Sequence, residues 1–190
     1  MFVTTLRLSI LALFFLFISC NKRSKEVVKE NNSYKLVWSD EFDKEGKPDP
    51  EKWNYELGFI RAHEKQYYTD SLKNVRVENG NLIIEAYKEK IKNNTPPFFE
   101  RPAYVDQIDS ADYTSASITT RGKKTWKYAK IDIRAKLPKG RGLWPAFWML
   151  GQNWGKIPWP KCGEIDIMEH VGFDPETIYG TVSVHSIGCR

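Results

Sequence analysis

Cys162-Gly163-Glu164-Ile165-Asp166-Ile167-Met168-Glu169-His170 sets three carboxylates within six residues of an otherwise apolar run. Acid and aliphatic residues alternate over Glu164 to Ile167, the period of a β-strand, whose successive side chains point to opposite faces. Three like charges side by side in a sheet are costly. On a regular strand Glu164 and Asp166 share a face, while Glu169, five residues beyond Glu164, points the other way. One inserted residue brings it round. A β-bulge at the apolar pair Ile167-Met168 would place all three carboxyls on one face.

Working outward from that strand, the same period recurs in Lys130-Ile131-Asp132-Ile133-Arg134-Ala135-Lys136-Leu137, with Ile131, Ile133, Ala135 and Leu137 to one side. Val75-Arg76-Val77-Glu78 and Leu82-Ile83-Ile84-Glu85-Ala86-Tyr87 flank Asn79-Gly80, a pair that tolerates the positive φ of a tight hairpin turn. Further strands are expected at Lys35–Trp38, Tyr113–Thr120, Trp126–Leu137, Trp144–Leu150, Gly163–Val171 and Thr177–His185. No segment holds a helical period. Many short strands with Gly and Pro between them make the chain all-β, a sandwich of antiparallel sheets. Lys88 to Asp112 carries Pro96-Pro97 and Pro102 and no clear period, so it reads as a long loop, a candidate rim for a site.

On one concave face, Glu164 and Glu169 would stand about two strand positions apart. That suits the roughly 5–5.5 Å between nucleophile and acid/base in retaining glycoside hydrolysis, since inverting chemistry needs a wider gap to admit water. Crowding raises the proton affinity of one carboxyl. It would keep Glu169 protonated to donate to the leaving oxygen while Glu164 stays ionised to attack the anomeric carbon, with Asp166 between them orienting the nucleophile.

Glu164-Ile165-Asp166-Ile167-Met168-Glu169 resembles the Glu-x-Asp-x-x-Glu signature of glycoside hydrolase family 16, in the bulged form of laminarinase-like β-1,3-glucanases. The similarity extends through Leu36–Asp43, Gln66–Thr69, Val77–Leu82 and Lys136–Leu150, nearly everything from Tyr34 onward. The resemblance implies a jelly-roll sandwich of two curved antiparallel sheets with a sugar cleft on the concave face. It implies Glu164 as nucleophile, Asp166 as its assistant, Glu169 as acid/base, and β-1,3-glucan as substrate, with mixed-linkage glucan or a marine galactan of the agar or carrageenan type as alternatives. It also points to Trp144 and Trp159 as cleft aromatics, since flat indole faces stack on the apolar faces of pyranose rings. Trp148 shares the face of Trp144 by alternation. Trp38, Trp53 and Trp126 read as core. Glu64 lies in a segment similar to the family's Asn-Glu-x-Gln-Tyr-Tyr-Thr, with His63 in place of the Asn, and is a candidate polar contact. Two positions depart from the pattern: Ser117 stands where many relatives carry Arg, and Ser183 where many carry His, with His185 two residues later. The family also implies strands after the catalytic one that are not found before Arg190, so part of the sandwich is expected to be missing.

The N-terminus is a different kind of sequence. Arg7 leads into an apolar stretch, Leu8 to Ser19, too short to span a bilayer comfortably, and it closes on Phe17-Ile18-Ser19-Cys20. That pattern resembles a bacterial lipobox. Cys20 is therefore expected to carry a lipid anchor, making the protein an exported, membrane-anchored lipoprotein of the periplasm or cell surface. Residues 21–33 are rich in Lys, Arg, Glu and Asn with only Val27 and Val28 apolar, a flexible tether ahead of a domain over 34–190.

The net charge of +5 is spread over 29 basic and 24 acidic residues, which argues against nucleic acid as a partner. A monomer acting on a polysaccharide without a cofactor is expected. Cys162 and Cys189 could pair in an oxidising compartment, though free thiols are the preferred reading. A metal site built from Glu164, Asp166, Glu169 and His185 is a rival arrangement. A non-catalytic sugar-binding module on the same sandwich is another, but it would gain little from crowded carboxylates.

Overall fold

The computed structural model describes residues 34–61 and 64–184. The chain divides into two units at Lys35–Leu36, and every element below belongs to the second. Among the described residues it is all-β apart from one 3-10 turn. Cys20, residues 21–33, His63, His185 and Cys189 lie outside the described residues.

Strands β1 (Asn54–Glu56) and β7 (Ser117–Thr119) form an antiparallel ribbon. In a second sheet, β6 (Ser110–Ser115) lies between β2 (Gln66–Tyr68), to which it runs parallel, and β5 (Tyr87–Lys92), to which it is antiparallel. Strands β3 (Val75–Glu78) and β4 (Asn81–Ile84) form the expected hairpin. Asn79 and Gly80 turn it at φ 52° and 69°, the doubly left-handed geometry that suits this pair of residues to a two-residue hairpin loop. Its inward-facing Val75 and Val77 are buried. The fourth sheet has the order β10-β9-β8, with β8 (Ala146–Leu150), β9 (Glu164–Glu169) and β10 (Tyr179–Ser183) antiparallel throughout.

A buried cluster of Phe59, Tyr67, Val105 and Ala111 packs with Ile91, Tyr104 and Ile108 beside the second sheet. Phe59 and Tyr67 meet edge to face with centroids 5.6 Å apart. Val105 comes from the 3-10 turn Ala103–Gln107, inside the segment expected to be one long loop. Lys88 to Lys92 is strand instead, as are Ser110 to Asp112, so the irregular part shrinks to residues 93–109. Asn93 ties that part down, its side-chain amide donating to the carbonyls of Val105 and Ile108 at 2.8 Å each.

Two expected strands are not formed. Lys35–Trp38 belongs to no ladder, although Trp38 packs edge-on against Trp53 and Trp126 at centroid distances of 5.5 and 5.4 Å, a half-buried cluster outside the buried core expected to hold them. Trp126–Leu137 also carries no strand, and every residue from Lys127 to Lys136 is exposed. Alternation specifies which way side chains face. A strand also needs a neighbour to take its backbone hydrogen bonds, and no described segment lies in a ladder with this one.

Candidate active site

The bulge lies where the sequence places it. Leu150, Met149 and Trp148 of β8 stand opposite Glu164, Ile165 and Asp166 of β9, after which the register slips so that Phe147 meets Met168 and Ala146 meets Glu169. On the other side, Ser183, Thr181 and Tyr179 of β10 face Glu164, Asp166 and Glu169. Residues 150, 148 and 146 alternate regularly along β8, so their partners all share one face. Ile167 is the inserted residue, and Glu164, Asp166 and Glu169 stand in a row.

That row is longer than sequence spacing suggests. Glu164 and Glu169 are separated by the β8 interval Leu150 to Ala146, four residues rather than two, or roughly 13 Å of backbone. Closer approach of their carboxyl groups therefore depends on both long side chains leaning over the shorter Asp166.

An indole reaches each end of the row. Trp159 Nε1 donates to Glu164 Oε2 at 2.6 Å, and Trp144 Nε1 donates to Glu169 Oε1 at 3.0 Å. Thr181 Oγ1 adds a longer bond of 3.4 Å to Glu169 Oε2. Trp144 and Trp159 are 67% and 55% exposed, so they offer free aromatic surface while touching the two outer carboxylates. Asp166, in the middle, is the carboxyl held above the ordinary range, first by burial and then by the negative charges of Glu164 and Glu169.

Close backbone contacts fix the approaches to this row. A Cβ at Gly151 would lie 2.0 Å from the Cys162 carbonyl oxygen, and one at Gly172 would lie 1.7 Å from that of Gly140. Only glycine fits at either place. The first contact closes the loop that carries Trp159, and the second, with Gly172 N donating to Leu143 O at 2.9 Å, seats the loop that carries Trp144.

Trp148, opposite Asp166 on the carboxylate face, is covered by Arg61, whose guanidinium lies 4.7 Å from its ring centroid and 5.4 Å from that of Tyr68. Arg61 pairs with Glu56 and lies 3.7 Å from Glu64, which also accepts a hydrogen bond from Tyr68 Oη at 2.9 Å. Glu64 is thus part of a half-buried ionic group next to Trp148. Ser117 joins it, donating to Glu56 Oε2 at 2.5 Å. Cys162 is a free thiol, buried, its proton held more tightly than usual by that burial and then by the charges of Glu100 and Glu164. Among the described residues no group of three His, Cys, Asp or Glu side chains is arranged to hold a metal ion.

Three residues near the site have no counterpart in the sequence reading. Glu100, from the irregular segment 93–109, accepts from Trp159 N at 2.8 Å and from Trp154 Nε1 at 2.6 Å. Arg121 stacks on Trp154 at 4.2 Å. Nothing local marks Glu100 as special. Its partners lie 54 and 59 residues away.

Residues 86–187 match the model of the XgeA-like, catalytic GH16 domain. A β-glucanase of Rhodothermus marinus is 46% identical over 173 residues, covering 87% of this chain and 54% of the relative. The catalytic domain of an endo-1,3-β-glucanase (laminarinase) from Thermotoga petrophila is 50% identical with a TM-score of 0.66, covering 80% of this chain and 57% of that one. A structure described with endo-acting O-glycanases of the human gut microbiota has a TM-score of 0.70 at 38% identity, covering 78% and 52%. The chain spans about half the length of the curated relatives it matches. Its described strands follow the jelly-roll β-sandwich of these structures.

Proposed function

This chain belongs to glycoside hydrolase family 16, and on that premise we propose that it hydrolyses β-1,3-glucan internally with retention of anomeric configuration. The observation that carries the reading is the bulged strand β9, which turns Glu164, Asp166 and Glu169 to one face with an indole N–H on each outer carboxylate. Glu169 protonates the glycosidic oxygen as Glu164 attacks the anomeric carbon. Water then releases the sugar from Glu164, giving its proton to Glu169. The Trp159 N–H keeps Glu164 oriented. A proton on Asp166 would leave the row with one fewer negative charge. The exposed faces of Trp144 and Trp159 supply stacking surface for pyranose rings.

The relatives' names support glucan as substrate. The tighter backbone match to the O-glycanase structure, 0.70 against 0.66, makes mucin-type O-glycan the second substrate to try. The apolar leader ending in Cys20 supports export and lipid anchoring of the enzyme, which incorporation of labelled palmitate, lost in Cys20→Ser, would test. For the activity itself, the assay is release of reducing ends from laminarin, mixed-linkage glucan and mucin by the full chain. Laminarin should be cut fastest. Release from mucin alone would replace the glucan reading, and release from none would sink both.

A further inference from the structure

We propose that Glu100 is a positioning residue for the nucleophile, acting through Trp159; this rests on the reading of Glu164 as nucleophile. Trp159 stands in the loop between β8 and β9 and is more than half exposed, so packing alone does little to fix its indole. Yet its N–H must point at Glu164 Oε2 to make the 2.6 Å bond. The tie comes from outside that loop. One carboxylate oxygen of Glu100 accepts from the Trp159 backbone N–H and the other from the Trp154 indole, so Glu100 clamps both ends of the segment that carries Trp159.

Trp154 is itself anchored. Arg121 lies over its ring at 4.2 Å and donates from Nη2 to its carbonyl oxygen at 3.3 Å. The contacts therefore run continuously from Arg121 through Trp154, Glu100 and Trp159 to Glu164. Glu100 also holds φ at 65°, in the left-handed region that non-glycine residues rarely occupy. Such a conformation persists only where the surroundings over-determine it, and the two bonds to Trp154 and Trp159 do so. With Glu100 removed, Trp159 keeps its place in the sequence but loses the restraint that aims its N–H. A misplacement of about 1 Å near reacting groups costs on the order of a hundredfold in rate, so a loosened donor should cost about tenfold.

The indole region of a 15N–1H spectrum of the full chain reads this directly, with the Trp159 signal assigned by its disappearance in Trp159→Phe. In Glu100→Ala that signal should leave its hydrogen-bonded position and move toward that of a solvated indole, whereas Glu100→Gln, which keeps one carbonyl acceptor, should move it less. On laminarin, kcat should fall about tenfold in Glu100→Ala but less than about twofold when the same change is made in the Trp159→Phe background. An unmoved Trp159 signal in Glu100→Ala, or an undiminished kcat loss in the Trp159→Phe background, overturns the proposal. A chain with no turnover would count against the hydrolytic reading, while the indole spectrum would still decide the role of Glu100.

Discussion

Strands β6 and β9 are each the middle strand of a three-stranded sheet, and they use their side chains in opposite ways. On β6 the buried positions are Ala111 and Thr114, the second satisfied by Asn74 at 3.1 Å and by Glu89, while Asp112 and Tyr113 are exposed. On β9 the acids are half-buried and the aliphatic Ile165 and Ile167 are 49% and 36% exposed. Burial on β6 stabilises the fold, since apolar atoms leave water and the polar one is hydrogen-bonded. Strand β9 gains little from burial. It is held by its ladders to β8 and β10, and its register serves to line up carboxylates.

If that contrast is right, removing chemistry from β9 should leave the fold alone. Glu164→Gln should lower hydrolysis of laminarin at least about a thousandfold, with a melting curve by circular dichroism that overlays the parent. A collapsed melt would mean that the carboxylate row is structural. The converse experiment compares truncations. Phe59→Ala, in the buried cluster beside β6, should cost about 3 kcal/mol or more in urea unfolding, whereas Ile165→Ala on β9 should cost less than about 1 kcal/mol. Equal costs would break the comparison.

The smallest expected effect concerns Asp166. Burial, then the charges of Glu164 and Glu169, make the folded chain bind its proton more tightly than the unfolded one. Stability therefore falls as pH rises from the ordinary carboxyl value near 3.8 through the raised folded value, and the penalty persists above it. Asp166→Asn should melt slightly higher than the parent at pH 7 and level with it at pH 3. A lower melting point at pH 7 would show that the ionised carboxylate is stabilising instead.

Local pattern exposed the bulge, the shared face of the three acids and the Asn79-Gly80 turn, because each follows from residues adjacent in sequence. It placed Trp144 and Trp159 near the acids by resemblance, and the structure gives the physical contact, an indole N–H at each end. It could not show that Trp126–Leu137 would lie outside every described ladder, since alternation records faces and is silent about partners. Nor could it find Glu100 or the Arg61 group beside Trp148, whose contacts join segments 54 to 87 residues apart, from Glu100–Trp154 to Arg61–Trp148. The identity of the carboxyl raised by crowding was also beyond it. Asp166 holds that position first through its burial and then because Glu164 and Glu169 flank it on both sides.

The row of carboxylates on β9 is tested most directly by the stereochemistry of its product. Laminarin digested in an NMR tube, with anomeric proton signals followed from the first minutes, should release the β-anomer first and show the α-anomer only as mutarotation proceeds. An α-anomer appearing first would contradict attack by Glu164 and would mean that water is admitted between the two glutamates.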